Sequence, residues 1–392
     1  MVIGIPKEIK DQESRISCTP AAVQQFVQDG HTVYVETKAG VEAGITDMEF
    51  EEAGAIILDR AEDVWEMSDM IYKVKEPLPS EFKYFREDLI IYTYLHLAAN
   101  PELTRALVDN KCVGIAFETV QVGSILPLLK PMSEVAGRMA IQEGARLLKR
   151  THGGKGVVLQ GVPGVAPAHV VILGAGTVGT AATRIAVGMG ARVTVIDINV
   201  DRLAEIGNIF LDKIETLISN SLNIAKVVKD ADMVVSSVLI PGRKAPQLIT
   251  EDMVKTMEPG SVIVDVAIDQ GGSTELTAGK TSDNNNETVF IKHDIVHYLV
   301  ANIPGTVPRT ATQALSNATT KYAGAIANLG WKAACRKHPE LASGINTAEG
   351  YVTYKPVAED LGYELKNIHE LISISKRPLF FLQARARRNI SY

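Results

Sequence analysis

Short runs of β-branched and aromatic residues alternate along the chain with segments of helical period. MVIGI at the N-terminus, then TVYVE, MIYKVK, LIIYTYL and CVGIAFE, predict strands. Between them, TPAAVQQFVQDG and NPELTRALVDNK have the spacing of amphipathic helices. In the first, Thr19 is placed to cap, Pro20 suits the first helical position and Gly30 can end the helix; in the second, Asn100 is placed to cap and Pro101 follows. Such alternation predicts a parallel sheet with helices on both faces. A helical segment from Ser133 to Arg150 and the Gly/Pro-rich stretch THGGKGVVLQGVPGVAPAH mark a boundary. A second alternation then begins at VVILG and runs through RVTVID, ADMVVSS and SVIVDVA. The pattern turns helical again from about Thr310 to Lys337. TAGKTSDNNNETV is polar and aperiodic, which predicts an exposed loop.

The chain has 392 residues, too many for one ordinary core, so two α/β domains are expected. Hydrophobic residues make up 46% and charged residues 22%, the balance of a soluble globular protein. The net charge is −6 with both signs mixed, which excludes a phosphate-backbone footprint. The C-terminal SKRPLFFLQARARRNISY departs from this, with five basic and no acidic residues; it is expected to be a solvated end. Three cysteines, Cys18, Cys112 and Cys335, lie far apart, without metal or redox spacing, and fit a reducing, cytoplasmic compartment. MVIGIPKEIK runs from strand into charge, unlike a signal peptide, and no apolar run predicts a membrane span.

The strongest chemical signal is VVILGAGTVGTAATRIAVGMGARVTVID. Gly174, Gly176 and Gly179 form G-x-G-x-x-G between a strand and a helix, and a second strand ends in Asp197. Gly174 permits the tight turn, Gly176 lets a pyrophosphate approach the backbone, and Gly179 lets helix and strand pack closely. The helix N-terminus offers unpaired N–H groups to the phosphates. Asp197 can accept from a ribose 2′-OH and would repel a 2′-phosphate, which favours NAD over NADP. A flavin domain shares the motif but usually opens its chain with it, whereas here it is central.

Hydride transfer also needs a held substrate and a proton donor or acceptor. Four features ahead of and after the motif supply candidates. Arg15, in the loop after the first strand, offers a planar fork for a carboxylate. Lys73 and Lys75 share one face of a strand that ends before Pro77. His96 follows LIIYTYL in the same manner. VIVDVAIDQGG carries Asp265 and Asp269 at the end of a cofactor-domain strand. Each also has an ordinary structural explanation: a surface arginine, a snorkelling lysine, a packed core histidine, a turn carboxylate. Their joint placement at strand ends, where open α/β sheets bind ligands, favours function.

At these residues the chain resembles a known family, the alanine dehydrogenases and transhydrogenase α-subunits, and within it the alanine dehydrogenases. The resemblance runs from Met1 to about Gly362 and is carried by GIPKEIKDQESRI, YKVKEPLPSE, YLHLAAN, MSEVAGRMAIQEGARLL, GGKGVVLQGVPGV, the glycine-motif segment, VLIPGRKAP, VDVAIDQGG and VANIPGTVPRTAT. It implies a central Rossmann NAD-binding domain (131–304) inside a discontinuous, doubly wound substrate domain (1–130, returning at 305–392). It implies oxidative deamination of L-alanine to pyruvate and ammonia with NAD, and the reverse. Arg15 and Lys75 would hold the substrate, His96 would be the acid/base and Asp269 the second catalytic residue. Cofactor contacts would come from Ser133, Thr177, Val178, Asp197, Arg202, Ser219, Val238, Leu239, the run Val266, Ala267, Ile268 and Asp269, and the run Val300, Ala301, Asn302 and Ile303. A homohexamer is implied.

The chain departs from the family pattern in three places. The loop STELTAGKTSDNNNETV is longer than usual, and Lys280 is only a candidate basic contact there. Glu134 of a metal-binding pair found in some relatives is present, but the partner position holds Leu329, so no metal is expected. The tail after about Leu371 extends past the usual end. Two other functions fit parts of the pattern. One is a transhydrogenase α-like NAD(H)-binding subunit, which would not need Lys75, His96 and Asp269 together. The other is a dehydrogenase for longer, lysine-derived substrates, against which YLHLAAN and VANIPGTVPRT argue. In the alanine reading, His96 activates water against the imine carbon, a role suited to histidine's ordinary titration range.

Overall fold

The two predicted alternations fold as two separate, mostly parallel sheets. The structure, a computed structural model, describes residues 1–238, 245–268, 271–278, 288–299 and 302–373. In the first sheet β1 (Val2–Ile5), β2 (Thr32–Glu36), β3 (Ile56–Leu58), β4 (Met70–Tyr72), β5 (Ile90–Thr93) and β6 (Val113–Ala116) lie in the order β3-β2-β1-β4-β5-β6, all parallel. Helices α1 (Pro20–Gln28), α2 (Asp47–Glu52), α3 (Ala61–Met67) and α4 (Pro101–Asp109) connect them. Every residue of β4, β5 and β6 is buried, as expected of central parallel strands covered on both faces.

α5 (Lys130–Leu147) then leads into the second sheet. Its parallel strands are β7 (His169–Leu173), β8 (Arg192–Asp197), β9 (Glu215–Ile218), β10 (Met233–Ser236) and β11 (Val262–Asp265), joined by β12 (Val289–Lys292), antiparallel at the edge, and β13 (Ile295–Tyr298). Their order is β12-β13-β11-β10-β7-β8-β9. Helices α6 (Thr177–Gly188), α7 (Val200–Phe210), α8 (Ser221–Lys229) and α9 (Glu251–Lys255) lie between them. The chain then returns to the first sheet. α10 (Pro308–Leu329) and α11 (Trp331–Lys337) precede β14 (Ile345–Ala348) and β15 (Tyr351–Val352), which add antiparallel to the β6 edge. α12 (Lys355–Leu361) and α13 (Ile368–Ser373) follow.

Among the described residues, four apolar clusters, two per sheet, form the core. Ile3, Val35, Tyr72, Tyr92 and Phe117 pack with Leu315, Tyr322 and Ile326 of α10, so the returning helix closes one face of the first sheet. Trp65, Ile91, Leu103 and Leu107 close the other. In the second sheet, Val170 and Ile172 of β7 point to one face and Val171 and Leu173 to the other. α5 belongs to both bodies: Met132 and Val135 enter the first core, while Ala140, Ile141 and Leu147 enter the second.

Several local expectations change. The helical stretch predicted from Thr310 to Lys337 is two helices, broken at Gly330, whose φ of 74° a helix interior does not allow. The helix predicted from Ser133 starts three residues earlier, with Pro131 in its first turn. Thr19 does not cap α1; its hydroxyl lies 3.3 Å from Ser316 Oγ on α10. Asn100 does not cap α4 either. Its Nδ2 donates to the His96 carbonyl at 3.0 Å. Thr277, expected in an exposed loop, is buried, and its hydroxyl donates to Asp265 Oδ2 at 2.6 Å. The core of that loop, including Lys280, and the basic tail lie outside the described residues.

Candidate active site

In each sheet the strand order reverses at the first strand, between β1 and β4 in one and between β7 and β10 in the other. At such a switch point the flanking connections leave toward opposite faces and open a crevice at the carboxyl ends of the strands. The described candidate residues lie at strand ends, in the connections that follow them, or on α5, α6 and α7.

The crevice of the second sheet is built by glycine. Gly174 follows β7 with φ of 99°, a left-handed conformation that a side chain would strain. A Cβ on Gly179 would lie 1.8 Å from the Gly174 carbonyl oxygen, so helix and turn touch without room for a side chain. A Cβ on Gly176 would meet nothing within 4 Å, and no side chain caps the first turn of α6. The result is an open helix N-terminus, lined by Thr177 and Val178, with N–H groups aimed outward. Gly137 on α5 lets that helix approach Val178; a Cβ there would stand 2.2 Å from the Val178 carbonyl oxygen. Ser133 lies one turn earlier on α5, half-buried.

Asp197 ends β8, and its carboxylate accepts from Ala175 N at 2.7 Å and Asn199 N at 2.8 Å. Arg202 reaches back from α7, donating to the Ala175 carbonyl at 2.6 Å and to Thr180 Oγ1 at 2.6 Å. Ser219 N donates to the Asp197 carbonyl at 2.9 Å, beside the same strand ends. Val238 packs over Gly174, and Val266 N donates to the Ser236 carbonyl at 2.9 Å, so both line the β10–β11 side. Ala267, Ile268 and Ile303 are buried nearby in the fold. Leu239, Asp269, Val300 and Ala301 lie outside the described residues. Asp265, in contrast, is fully engaged: it accepts from Ala267 N, Ser273 N, Ser273 Oγ and Thr277 Oγ1, and so folds the segment after β11.

The crevice of the first sheet is built by side chains. Arg15 is buried at 3% exposure, unlike a surface arginine. Its Nε and Nη2 each donate to Glu13 at 2.6 Å, so the bidentate edge faces an internal carboxylate. Nη2 also donates to Asn302 Oδ1 at 2.7 Å, and Nη1 to Met132 Sδ at 3.0 Å. Of the five guanidinium hydrogens, one on Nη1 makes no hydrogen bond among the described residues. Burial alone would raise the Glu13 carboxyl, but the hydrogen bonds and charge of Arg15 hold it below the usual carboxylate range. Asn302, read as a cofactor contact, sits at φ 60° and also donates to Glu13 Oε2 at 2.9 Å. It thereby ties the segment after β13 to the connection after β1.

β4 ends at Tyr72, so Lys73 and Lys75 follow the strand instead of lying on it. Lys73 is not a snorkelling lysine. It is buried between Glu8 at 3.3 Å and Glu81 at 2.9 Å. Burial pushes the Glu8 carboxyl up to about 6 despite Lys73 beside it. Lys75 is half-buried and forms no ion pair among the described residues; its carbonyl accepts from Thr93 Oγ1 at 3.0 Å. Glu76 follows. Burial works to raise its carboxyl, but Lys10, helped by the charges of His96 and Lys75, holds it low.

His96 is not a packed core histidine. It is exposed at the end of LIIYTYL, in a left-handed conformation with φ 48° and ψ 43°. Its ring stacks on that of Tyr94, with centroids 6.0 Å apart and planes 10° from parallel. Burial raises the Tyr94 phenol, with the charges of Arg15, Glu118 and Glu13 acting nearby. Glu118, Glu13, Glu8, Glu76 and Tyr94 escaped sequence reasoning. The signal was an acid or phenol next to each strand end, which becomes legible only once the strand order is known.

Glu134, the half of a metal pair present in the sequence, faces Arg138 at 3.6 Å. Among the described residues no cluster of His, Cys, Asp and Glu has metal-binding proximity, and no helix is long and apolar enough to cross a membrane.

Two sheets of this order, the glycine turn and the cluster at β1, β4 and β5 define an α/β dinucleotide-binding enzyme class. The chain belongs to the alanine dehydrogenase/PNT family. The profile of its N-terminal domain matches residues 4–136, and that of its C-terminal domain residues 140–355. An alanine dehydrogenase of Methanococcus maripaludis is 57% identical over 93% of this chain and 98% of its own length. One of Bacillus subtilis is 54% identical over 93% and 96%. A solved L-alanine dehydrogenase superposes with a TM-score of 0.88 at 46% identity, over 92% of this chain and 99% of that one. A transhydrogenase from Sinorhizobium meliloti, 23% identical with a TM-score of 0.78, shares the fold.

Proposed function

We propose that this chain catalyses the NAD-dependent oxidative deamination of L-alanine to pyruvate and ammonia, and the reverse reductive amination. The observation that carries the reading is the placement of Arg15, Lys75 and His96 in the connections after β1, β4 and β5, neighbouring parallel strands of the first sheet, with Arg15 hydrogen-bonded to Asn302 from the segment after β13. Full-length likeness to alanine dehydrogenases supports it.

The residues present fit NAD. The open N-terminus of α6 at Gly176 suits a pyrophosphate, and Asp197 suits an unphosphorylated ribose. Ser133, Thr177, Val178, Arg202, Ser219, Val238, Leu239, the run Val266 to Asp269 and the run Val300 to Ile303 complete the proposed cofactor contacts. When bound, NAD supplies a hydride acceptor. Lys75 and the remaining Nη1 hydrogen of Arg15 bind the alanine carboxylate and fix Cα. His96 takes a proton from water as that water adds to the imine carbon, then returns it as ammonia leaves. Asp269 orients the water or the amine. The proposal extends to a homohexamer in the cytoplasm, to no bound metal, and to domain limits of 1–130 and 305–392 around 131–304.

The test follows NADH absorbance with L-alanine and NAD, with NADP and other amino acids as controls. Turnover is expected with L-alanine and NAD. His96→Ala is expected to lose about 100-fold or more in kcat while still binding NADH. Near-normal turnover in that variant sinks the assignment. NADH binding without turnover on any amino acid points instead to an NAD-docking subunit.

A further inference from the structure

The acid that holds His96 in place comes from the neighbouring strand. Glu118 lies in the turn Phe117–Thr119, directly after β6, and only 14% of its side chain is exposed. Its Oε1 accepts the His96 N–H at 2.7 Å and the Leu95 N–H at 3.2 Å, and Oε2 accepts the Leu95 N–H at 3.3 Å. The same Oε1 stands 3.9 Å from His96 Nδ1. One carboxylate thus grips two successive backbone N–H groups and faces the imidazole they carry.

His96 needs such a grip. A left-handed conformation is disfavoured for a residue with a Cβ, by about 1 kcal/mol or more. Asn100 secures the other side of the turn through the His96 carbonyl at 3.0 Å. Tyr94, anchored by its hydroxyl to the Leu128 carbonyl at 2.7 Å, supports one face of the ring. That leaves Glu118 as the charged group in contact with Nδ1 among the described residues.

We propose that Glu118 is the positioning residue of the acid/base. It fixes the left-handed turn that aims His96 into the crevice, and its charge favours a proton on Nδ1, which leaves Nε2 to exchange protons with water and substrate. This rests on the reading of His96 as acid/base. Among the described residues, the other ionisable groups around His96 include Tyr94 against its ring and Lys75 and Glu76 after β4, with Lys10 paired to Glu76. Glu102 lies on α4, and the exposed Lys355–Glu359 pair on α12.

The test compares Glu118→Gln, Glu118→Asp and His96→Ala. Gln can still accept from the two N–H groups but lacks the charge. With the anion that faces the imidazole removed, the acid limb of the kcat/KM profile for alanine should move to lower pH. kcat should fall about 10- to 100-fold with the KM for NAD within about twofold, because the charge facing Nδ1 is lost and the cofactor crevice is not touched. Asp should restore the limb toward its original position and part of kcat. A merely structural Glu118 would leave the limb of any folded variant unmoved. A wild-type limb and kcat in Glu118→Gln, or no recovery in Glu118→Asp, overturns the proposal. Near-normal turnover in His96→Ala overturns instead the reading on which it rests.

Discussion

The two sheets share one strand order, β3-β2-β1-β4-β5-β6 in the first and β9-β8-β7-β10-β11-β13 in the second, yet they use the same crevice in opposite ways. In the second, three residues of turn, Gly174–Gly176, join β7 to α6 and leave the helix N-terminus bare. In the first, the whole stretch Pro6–Thr19 separates β1 from α1, and it fills the crevice with Glu8, Glu13 and Arg15. The one crevice leaves a helix N-terminus open to an anion held by backbone; the other is already packed with buried charge. Fold alone therefore does not allot function here. The length and side chains of the first β–α connection do.

The largest expected effect tests the backbone-built crevice. Gly179→Ala forces a Cβ against the Gly174 carbonyl oxygen, and something in the strand–turn–helix unit must shift. Overpacking of this kind is expected to lower stability by about 3 kcal/mol, read from denaturant midpoints. The Cβ of Gly176→Val meets no atom within 4 Å, and the variant should keep its stability within about 0.5 kcal/mol. It should nevertheless weaken NADH binding by about tenfold or more, because its side chain stands where the pyrophosphate approaches the backbone. Native stability together with undiminished NADH affinity in Gly176→Val would break the comparison.

The side-chain-built crevice should fail differently. Glu13→Ala leaves the Arg15 guanidinium buried with Asn302 and Met132 but without its paired carboxylate. Breaking a buried pair in this way costs about 3 kcal/mol. Glu13→Gln, which keeps an acceptor, should cost less. A thermal midpoint unchanged in Glu13→Ala would mean that Arg15 is not held by charge, and the contrast between the two crevices would be lost.

How much of this was legible beforehand follows from the same contrast. The glycine crevice could be read from the sequence because its parts are local: strand, three glycines, helix and acid fall within one βαβ unit, Gly174 to Asp197. β4 and β5 were visible as unbroken apolar runs. β9 was not, because three of the four residues of ETLI are exposed, and Ile56–Leu58, at the sheet edge, is nowhere fully buried. The side-chain crevice was only half legible. Arg15, Lys75 and His96 could be suspected at strand ends, but their partners are remote in sequence. Glu118 is 22 residues from His96, and Asn302 is 287 from Arg15. Lys73 and Lys75 looked equivalent, and only the packing of Glu8 and Glu81 around Lys73 separates a buried structural cation from a half-buried one with no ion pair among the described residues.

The smallest expected effect concerns pH. Glu8 is fully enclosed in the first crevice, and its carboxyl is raised from 4.5 to about 6, chiefly by burial. The folded chain therefore holds this proton more tightly than the unfolded chain does. The stability it contributes is fully present below pH 4.5 and is lost as pH rises through about 6, a change of about 2 kcal/mol. Glu13, held low, acts in the opposite sense: its stability is present above the ordinary carboxylate value and lost as the medium becomes acid. Glu8→Gln imitates the protonated form at every pH and removes only the first contribution. Denaturant unfolding from pH 4 to 7 should show the variant gaining on the parent as pH rises, by about 2 kcal/mol across the window. A constant difference between the two would mean that Glu8 ionises in the fold as it does in water. The first crevice would then be open to solvent, and the distinction from the glycine crevice would rest on shape alone.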